Sequence, residues 1–331
     1  MSNHKAVSAG WARATSSRGL VLWLWVVNFA LSLPVAWVMA ASLSGSIGSS
    51  LVQEKLRSGF DMGWFGEFEA AAKGMETTFT PTVLGAGAFY NNLEAWLSGD
   101  IFRGFPGLVG LGILYGILWA LLLGGVLQRF AGNEGRFGLA HFFSTGGKYF
   151  FRFIRLTALS AILYYLVYRF HGSLFRYIED ATRDLTVERT VFLFTLAGAA
   201  LILFLLCLIN MVFDYAKIAT VLESRRSMLL AALRGLGFVL SHPGKTLGLY
   251  YGLGLIGVVL LATYAILAPG GGQSTPPGIL LAFLLGQIYL LLKLLLRLTF
   301  YGGEMALYEA LTRPAPAATE PATGSAVVAA A

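Results

Sequence analysis

Four long stretches of this chain contain no Asp, Glu, Lys or Arg: residues 19–53 (35 residues), 104–128 (25), 190–213 (24) and 246–292 (47). A bilayer core of about 30 Å is crossed by about 20 apolar residues in helix. Each stretch is long enough to span, and a spanning segment that satisfies its own backbone is a helix. In the first stretch the apolar part is 20–42. The last is too long for one span. It is broken at Pro269-Gly270-Gly271-Gly272 and again at Pro276-Pro277-Gly278, and such clusters punctuate helices. It reads as a helical hairpin, about 246–268 and 279–300. A shorter run, 156–168, reaches span length at about 150–170 if Arg155 and Arg169 snorkel to the interface; the alternative is a re-entrant segment. Only 12% of the residues are charged, against about 25% in soluble domains. A soluble fold, an extended nucleic-acid binder and a disordered chain are therefore poor readings. The expected fold class is all-α: a polytopic transmembrane bundle of six spans with interfacial amphipathic helices.

Six spans put alternate connecting segments on alternate sides. The segments holding the two termini, 129–155 and 214–245, with the inner end of the last span, carry 16 basic and 6 acidic residues; the rest of the chain carries 8 and 11. Lysine and arginine accumulate on the cytoplasmic side. This predicts a bacterial inner-membrane protein with both termini cytoplasmic, and it accounts for the net charge of +7 without nucleic acid. At 23 residues the first apolar segment exceeds the 7–15 of a signal peptide, so it reads as an uncleaved span. The expected organisation is a cytoplasmic segment 1–19, a membrane domain 20–313 with an outer loop at 43–104, and a disordered Pro/Ala/Thr-rich tail 314–331.

Three spans enter the cytoplasm on a small or polar motif: Gly124-Gly125-Val126-Leu127-Gln128, Phe213-Asp214-Tyr215-Ala216-Lys217 and Gly302-Gly303-Glu304-Met305-Ala306. Their starts are 89 residues apart each time. After the first motif, Lys148, Arg152 and Arg155 share one helical face. After the second, Leu229, Leu233, Leu236 and Leu240 form an apolar stripe, with Arg225, Arg226 and Arg234 off it. Both stretches read as helices in the interface before the chain turns back, and the six basic side chains as contacts for lipid headgroups. Gly107, Gly110, Gly112 and Gly116, with Gly124 and Gly125, suggest close helix packing. Asn28 and Ser32 are polar positions facing neighbouring helices.

The outer loop is too aromatic for a linker. Phe60, Trp64 and Phe68 recur every four residues, and Phe89, Leu93, Trp96 and Leu97 form a second stripe. Two readings stand: a lid anchored on the outer membrane interface by its aromatics, and a binding surface.

Catalytic signatures are lacking. No phosphate loop, dinucleotide fingerprint, zincin helix or nucleophile elbow occurs. The single Cys207 and four scattered histidines offer neither a disulfide nor metal-ligand spacing. No metal, cofactor or catalytic residue is expected. The informative ionisable residues are those near the membrane: Asp214, Lys217, Lys293, Arg297 and Glu304, at the inner ends of spans four and six. The shared spacing predicts that Asp214 and Glu304 lie at similar depth and pair with the basic residues across the two helices.

The stretch Asp214-Tyr215-Ala216-Lys217, Glu223-Ser224-Arg225-Arg226, the leucine-rich 229–240, then Ser241-His242-Pro243 and a span resembles the six-span membrane domain attached to some glycerophosphoryl diester phosphodiesterases. It also resembles related stand-alone bacterial membrane proteins of unknown function. The resemblance covers 214–250 and implies a membrane fold. It does not carry hydrolase activity, since no phosphodiesterase sequence lies within these residues. The expected function is a non-enzymatic membrane protein that contacts lipid or a partner. A transporter of a small molecule or lipid is the alternative, and an intramembrane lipid enzyme the second. A polar cavity between spans four and six would favour transport.

Overall fold

The computed structural model describes residues 1–48, 52–58, 61–79, 106–132, 138–185, 187–268 and 275–312. Among them there is no strand. Six helices are long and apolar enough to cross a membrane: α2 (Arg18–Ile47), α5 (Pro106–Gly132), α6 (Leu139–Thr182), α7 (Glu188–Leu222), α9 (Pro243–Leu267) and α10 (Pro276–Thr312). Each turns large apolar side chains outward. Trp37, Ile113, Ile162, Phe192, Ile256 and Ile279, one from each, are at least 50% exposed. An apolar exterior of this extent needs lipid against it. The chain is a multi-pass membrane protein with an all-α bundle fold. Of the two breaks expected in the helical hairpin, Pro276-Pro277-Gly278 forms the first turn of α10, while 269–274 and the tail after Thr312 lie outside the described residues.

The remaining helices are shorter. α1 is Asn3–Thr15, started by the Ser2 hydroxyl, which accepts from the Lys5 amide; α8 is Met228–Ser241, started likewise by Ser227. In the segment that follows α2 lie α3 (Val52–Ser58), α4 (Met62–Ala71) and a 3₁₀ turn, Gly74–Thr78. Trp64 stacks on Phe68 at 5.6 Å, and Phe68 meets Phe79 edge-on at 5.8 Å. Trp64 and Phe68 are buried, so they form a small core of this segment. Phe60 and the second aromatic stripe lie outside the described residues.

The interior is concentrated at one end of the bundle. There α5, α7 and α10 touch one another in all three pairs. These are the three helices that end in the 89-residue repeat, and its third position supplies the centre: Val126, Tyr215 and Glu304 each have no exposure. Another helix crosses each of the three ends through a glycine. A Cβ on Gly146 of α6 would sit 2.6 Å from the Leu121 carbonyl oxygen of α5. One on Gly235 of α8 would sit 2.4 Å from the Val212 oxygen of α7, and one on Gly10 of α1 would sit 2.4 Å from the Thr299 oxygen of α10. Gly146 and Gly235 follow their motif starts, 124 and 213, by the same 22 residues. The third motif has its crossing helix at the other end of the chain, in α1, and the ring closes there. Arg13 of α1 fastens it, donating to Glu309 at 2.8 Å and to the Gly302 carbonyl at 3.2 Å.

Three expectations are corrected. The basic stretch before the third span is not a separate interfacial helix. It is the first part of α6, whose 44 residues extend about 66 Å at 1.5 Å per residue, about twice the hydrocarbon thickness. No proline interrupts it. Of the glycines in α5, only Gly124 and Gly125 are pressed against a neighbour; a Cβ at Gly107, Gly110, Gly112 or Gly116 would meet nothing within 4 Å. Asn28 and Ser32 bond the carbonyls of Leu24 and Phe29 in their own helix. A polar link from α2 to another span is Trp25, whose indole N–H donates to Gln287 of α10 at 2.9 Å.

Candidate functional site

Helices α7, α9 and α10 bound a cleft of about 500 Å³, within the size range of small-molecule sites. Asn210 and Asp214 line it from α7, Tyr250 from α9, and Lys293, Arg297 and Tyr301 from α10. The rest of the wall is largely apolar, with Gly257, Leu260, Leu261 and Leu296 among it. Three of the five sequence-predicted polar residues, Asp214, Lys293 and Arg297, therefore meet at one cleft.

Their pairing differs from the expectation. Asp214 is matched on its own helix: Lys217 Nζ lies 2.9 Å from its Oδ1, and the Asn210 amide donates to Oδ2 at 3.2 Å. Lys217 at i+3 is a nearer neighbour than any residue of α10. Arg297 is held by uncharged groups, the Tyr115 hydroxyl at 3.3 Å and the Trp119 ring, 3.6 Å below its guanidinium carbon. Glu304 pairs with nothing. It has no exposure, and neither carboxyl oxygen has a hydrogen-bond partner among the described residues. Asp214 and Glu304 thus share an end of the bundle but no cross-helix ion pair.

No protein-family model, curated protein or solved structure matches this chain. The site rests on its geometry.

The six residues read as headgroup contacts divide in two. Arg225 and Arg234 are engaged by Glu223, at 2.5 and 3.4 Å; Glu223 also accepts from the Tyr308 hydroxyl, and Arg152 donates to the Arg225 carbonyl at 3.3 Å. Lys148, Arg155 and Arg226 are exposed, with no carboxylate partner among the described residues. Burial alone would raise the Glu223 carboxyl, but Tyr308, Arg225 and Arg234 outweigh it and hold it below the ordinary carboxylate range. A depressed carboxylate adds stability that is complete above its unfolded pKa and is lost as pH falls through the folded value. The junction of α7, α8 and α10 is therefore expected to loosen only in acid below the usual carboxylate range. Tryptophan fluorescence or limited proteolysis against pH, with and without Glu223→Gln, checks this.

Sequence reasoning missed Asn210, Tyr250, Tyr115 and Trp119. Asn210 was findable: it precedes Asp214 by one helical turn within an otherwise apolar span. The other three reach the cleft or Arg297 from different helices, and no spacing announces that.

Proposed function

We propose that this chain is a bacterial inner-membrane protein, both termini cytoplasmic, that holds anionic lipid at its inner end without catalysing a reaction. The observation that carries the reading is α8. Its inner face, Met228, Ala231, Gly235 and Phe238, packs on the bundle. Its other face leaves Leu229, Leu233 and Leu240 at least 55% exposed. A helix apolar on both sides, with Arg226 at its start, suits the boundary between headgroups and acyl chains. The resemblance of 214–250 to the membrane domain linked to phosphodiesterases belongs to the same proposal.

Each free basic residue near an anionic surface contributes about 1 kcal/mol. The combined variant Lys148→Gln, Arg155→Gln, Arg226→Gln is expected to retain fewer anionic lipids through detergent purification, counted by native mass spectrometry. Unchanged retention would leave the leucine stripe as the only anchor and sink the electrostatic part.

Orientation is tested by cysteine labelling in a Cys207→Ser background. Lys73→Cys is expected to react with an impermeant reagent applied outside intact cells, and Ser224→Cys is not. Reversed labelling would invert the topology, and labelling of both from outside would break the six-span count.

A second reading, transport of a small molecule or lipid, is supported by the polar cleft between α7, α9 and α10. Reconstituted protein that speeds exchange of a labelled anionic lipid between leaflets would favour it over static lipid contact.

A further inference from the structure

The cleft has an excess of positive charge that no carboxylate among the described residues pairs with. Asp214 and Lys217 neutralise each other at 2.9 Å. Lys293 and Arg297 remain, one helical turn apart on α10, and among the described residues neither has a carboxylate within 4 Å. The groups on Arg297, Tyr115 and Trp119, are neutral. Lys293 has no hydrogen-bond acceptor among the described residues, and it is exposed on the cleft wall. It lies seven residues, about 10 Å along the helix, inside the expected inner end of the sixth span at 300. An ionised lysine at that depth is costly and calls for a partner.

The hydrogen-bonding inventory of the cleft points the same way. The Asn210 amide is spent on Asp214 and on the Tyr250 hydroxyl, which accepts from it at 2.9 Å. That leaves the Lys293 ammonium and the outer N–H groups of Arg297 as charged donors, beside the hydroxyls of Tyr250, Tyr289 and Tyr301 on the same wall. Two cations without a carboxylate, flanked by hydroxyl groups, fit phosphate oxygens. The neighbouring wall, Gly257, Leu260, Leu261 and Leu296, is apolar. A free, strongly hydrated phosphate ion gains nothing from that surface. A phosphodiester carrying acyl chains gains on both counts.

We propose that the cleft between α7, α9 and α10 binds the phosphate of an anionic membrane lipid, with Lys293 and Arg297 as its counter-charges and the leucine wall against its acyl chain. The proposal rests on the membrane reading above but uses different residues from the basic surface at the bundle's inner end.

The experiment uses the full chain in mild detergent, titrated with phosphatidylglycerol or phosphatidylcholine and followed by native mass spectrometry and thermal midpoint. Wild type is expected to keep one tightly held phosphatidylglycerol and to gain stability from it, with little response to phosphatidylcholine. Lys293→Gln, whose side chain bonds nothing in the fold, is expected to keep its structure and bind phosphatidylglycerol at least about tenfold more weakly. The variant with Lys148, Arg155 and Arg226 replaced should keep the tight lipid. Equal phosphatidylglycerol binding by wild type and Lys293→Gln overturns the proposal, as does equal binding of phosphatidylcholine. Displacement of the lipid by inorganic phosphate overturns the lipid assignment in favour of a free-anion site. If only the triple variant loses lipid, the cleft fails and the surface reading stands; if only Lys293→Gln does, the reverse holds.

Discussion

Gly146→Ala is expected to destabilise the bundle by about 3 kcal/mol, while Gly147→Ala, one residue along the same helix, leaves stability unchanged or raises it by about 0.5–1 kcal/mol. The added methyl at 146 would meet the Leu121 carbonyl oxygen at 2.6 Å and the Gly125 amide nitrogen at 3.2 Å. Both are backbone atoms inside helix α5, and neither can swing aside as a side chain would. At 147 the methyl would meet nothing within 4 Å, and alanine is the better helix former. Within a bilayer, where apolar surface is no drive to association, close backbone approach is a main source of helix–helix affinity. The same contrast is expected between Gly235, 2.4 Å from the Val212 oxygen, and Gly237, which faces open space. Gly10, 2.4 Å from the Thr299 oxygen, completes the set. Thermal midpoints of the purified variants measure all five. Similar midpoints for Gly146→Ala and Gly147→Ala would show that the crossing does not hold the two helices together, and the threefold arrangement would lose its physical basis.

The spans were legible because absence of charge over about 20 residues is a strong signal that few other structures produce. Helices α2, α6, α7 and α10 contain their predicted spans and run past them at both ends, and α5 and α9 run past theirs at one end, since hydropathy marks the hydrocarbon and not the helix end. Helix α1 was not legible by that criterion: 1–18 holds three basic residues and no apolar run. Its signal was subtler, the small residues Ala6, Gly10 and Ala14 at four-residue spacing, all buried in the structure. The glycine pattern in α5 misled for the converse reason. Gly107 and Gly124 look alike in sequence, and only the position of the neighbouring helix distinguishes a contact from an open face. For the polar cluster, sequence position gave depth along α7 and α10 but not which residue met which. Lys217 was visible beside Asp214 all along, and the i+3 neighbour won over partners on another helix. The cleft itself is a property of three helices that meet across 91 residues of chain, from Asn210 to Tyr301, and composition does not encode it.

Glu304→Met is expected to raise the stability of the protein by about 2 kcal/mol. A carboxyl with no exposure and, among the described residues, no hydrogen bond to either oxygen forgoes its hydration for nothing in return, at a cost of about 1–3 kcal/mol. Buried ionisable groups are often replaced by apolar residues of similar volume with neutral or favourable effect. The repeat supplies the internal precedent. At the equivalent positions 89 and 178 residues earlier stand Tyr215 and Val126, equally without exposure, so the centre of the three helix ends accepts an uncharged side chain. Glu304→Gln keeps the shape and most of the polarity, and it should change stability by less than about 1 kcal/mol, because an amide there is as poorly satisfied as the acid. The two variants separate fold from function. A higher midpoint for Glu304→Met together with lost cellular function would mean that the carboxyl is kept at a cost in stability for what it does. A higher midpoint with function intact would make it dispensable. A lower midpoint would overturn the expectation, since it would mean that the carboxyl holds the three helix ends together through a bond this packing does not contain.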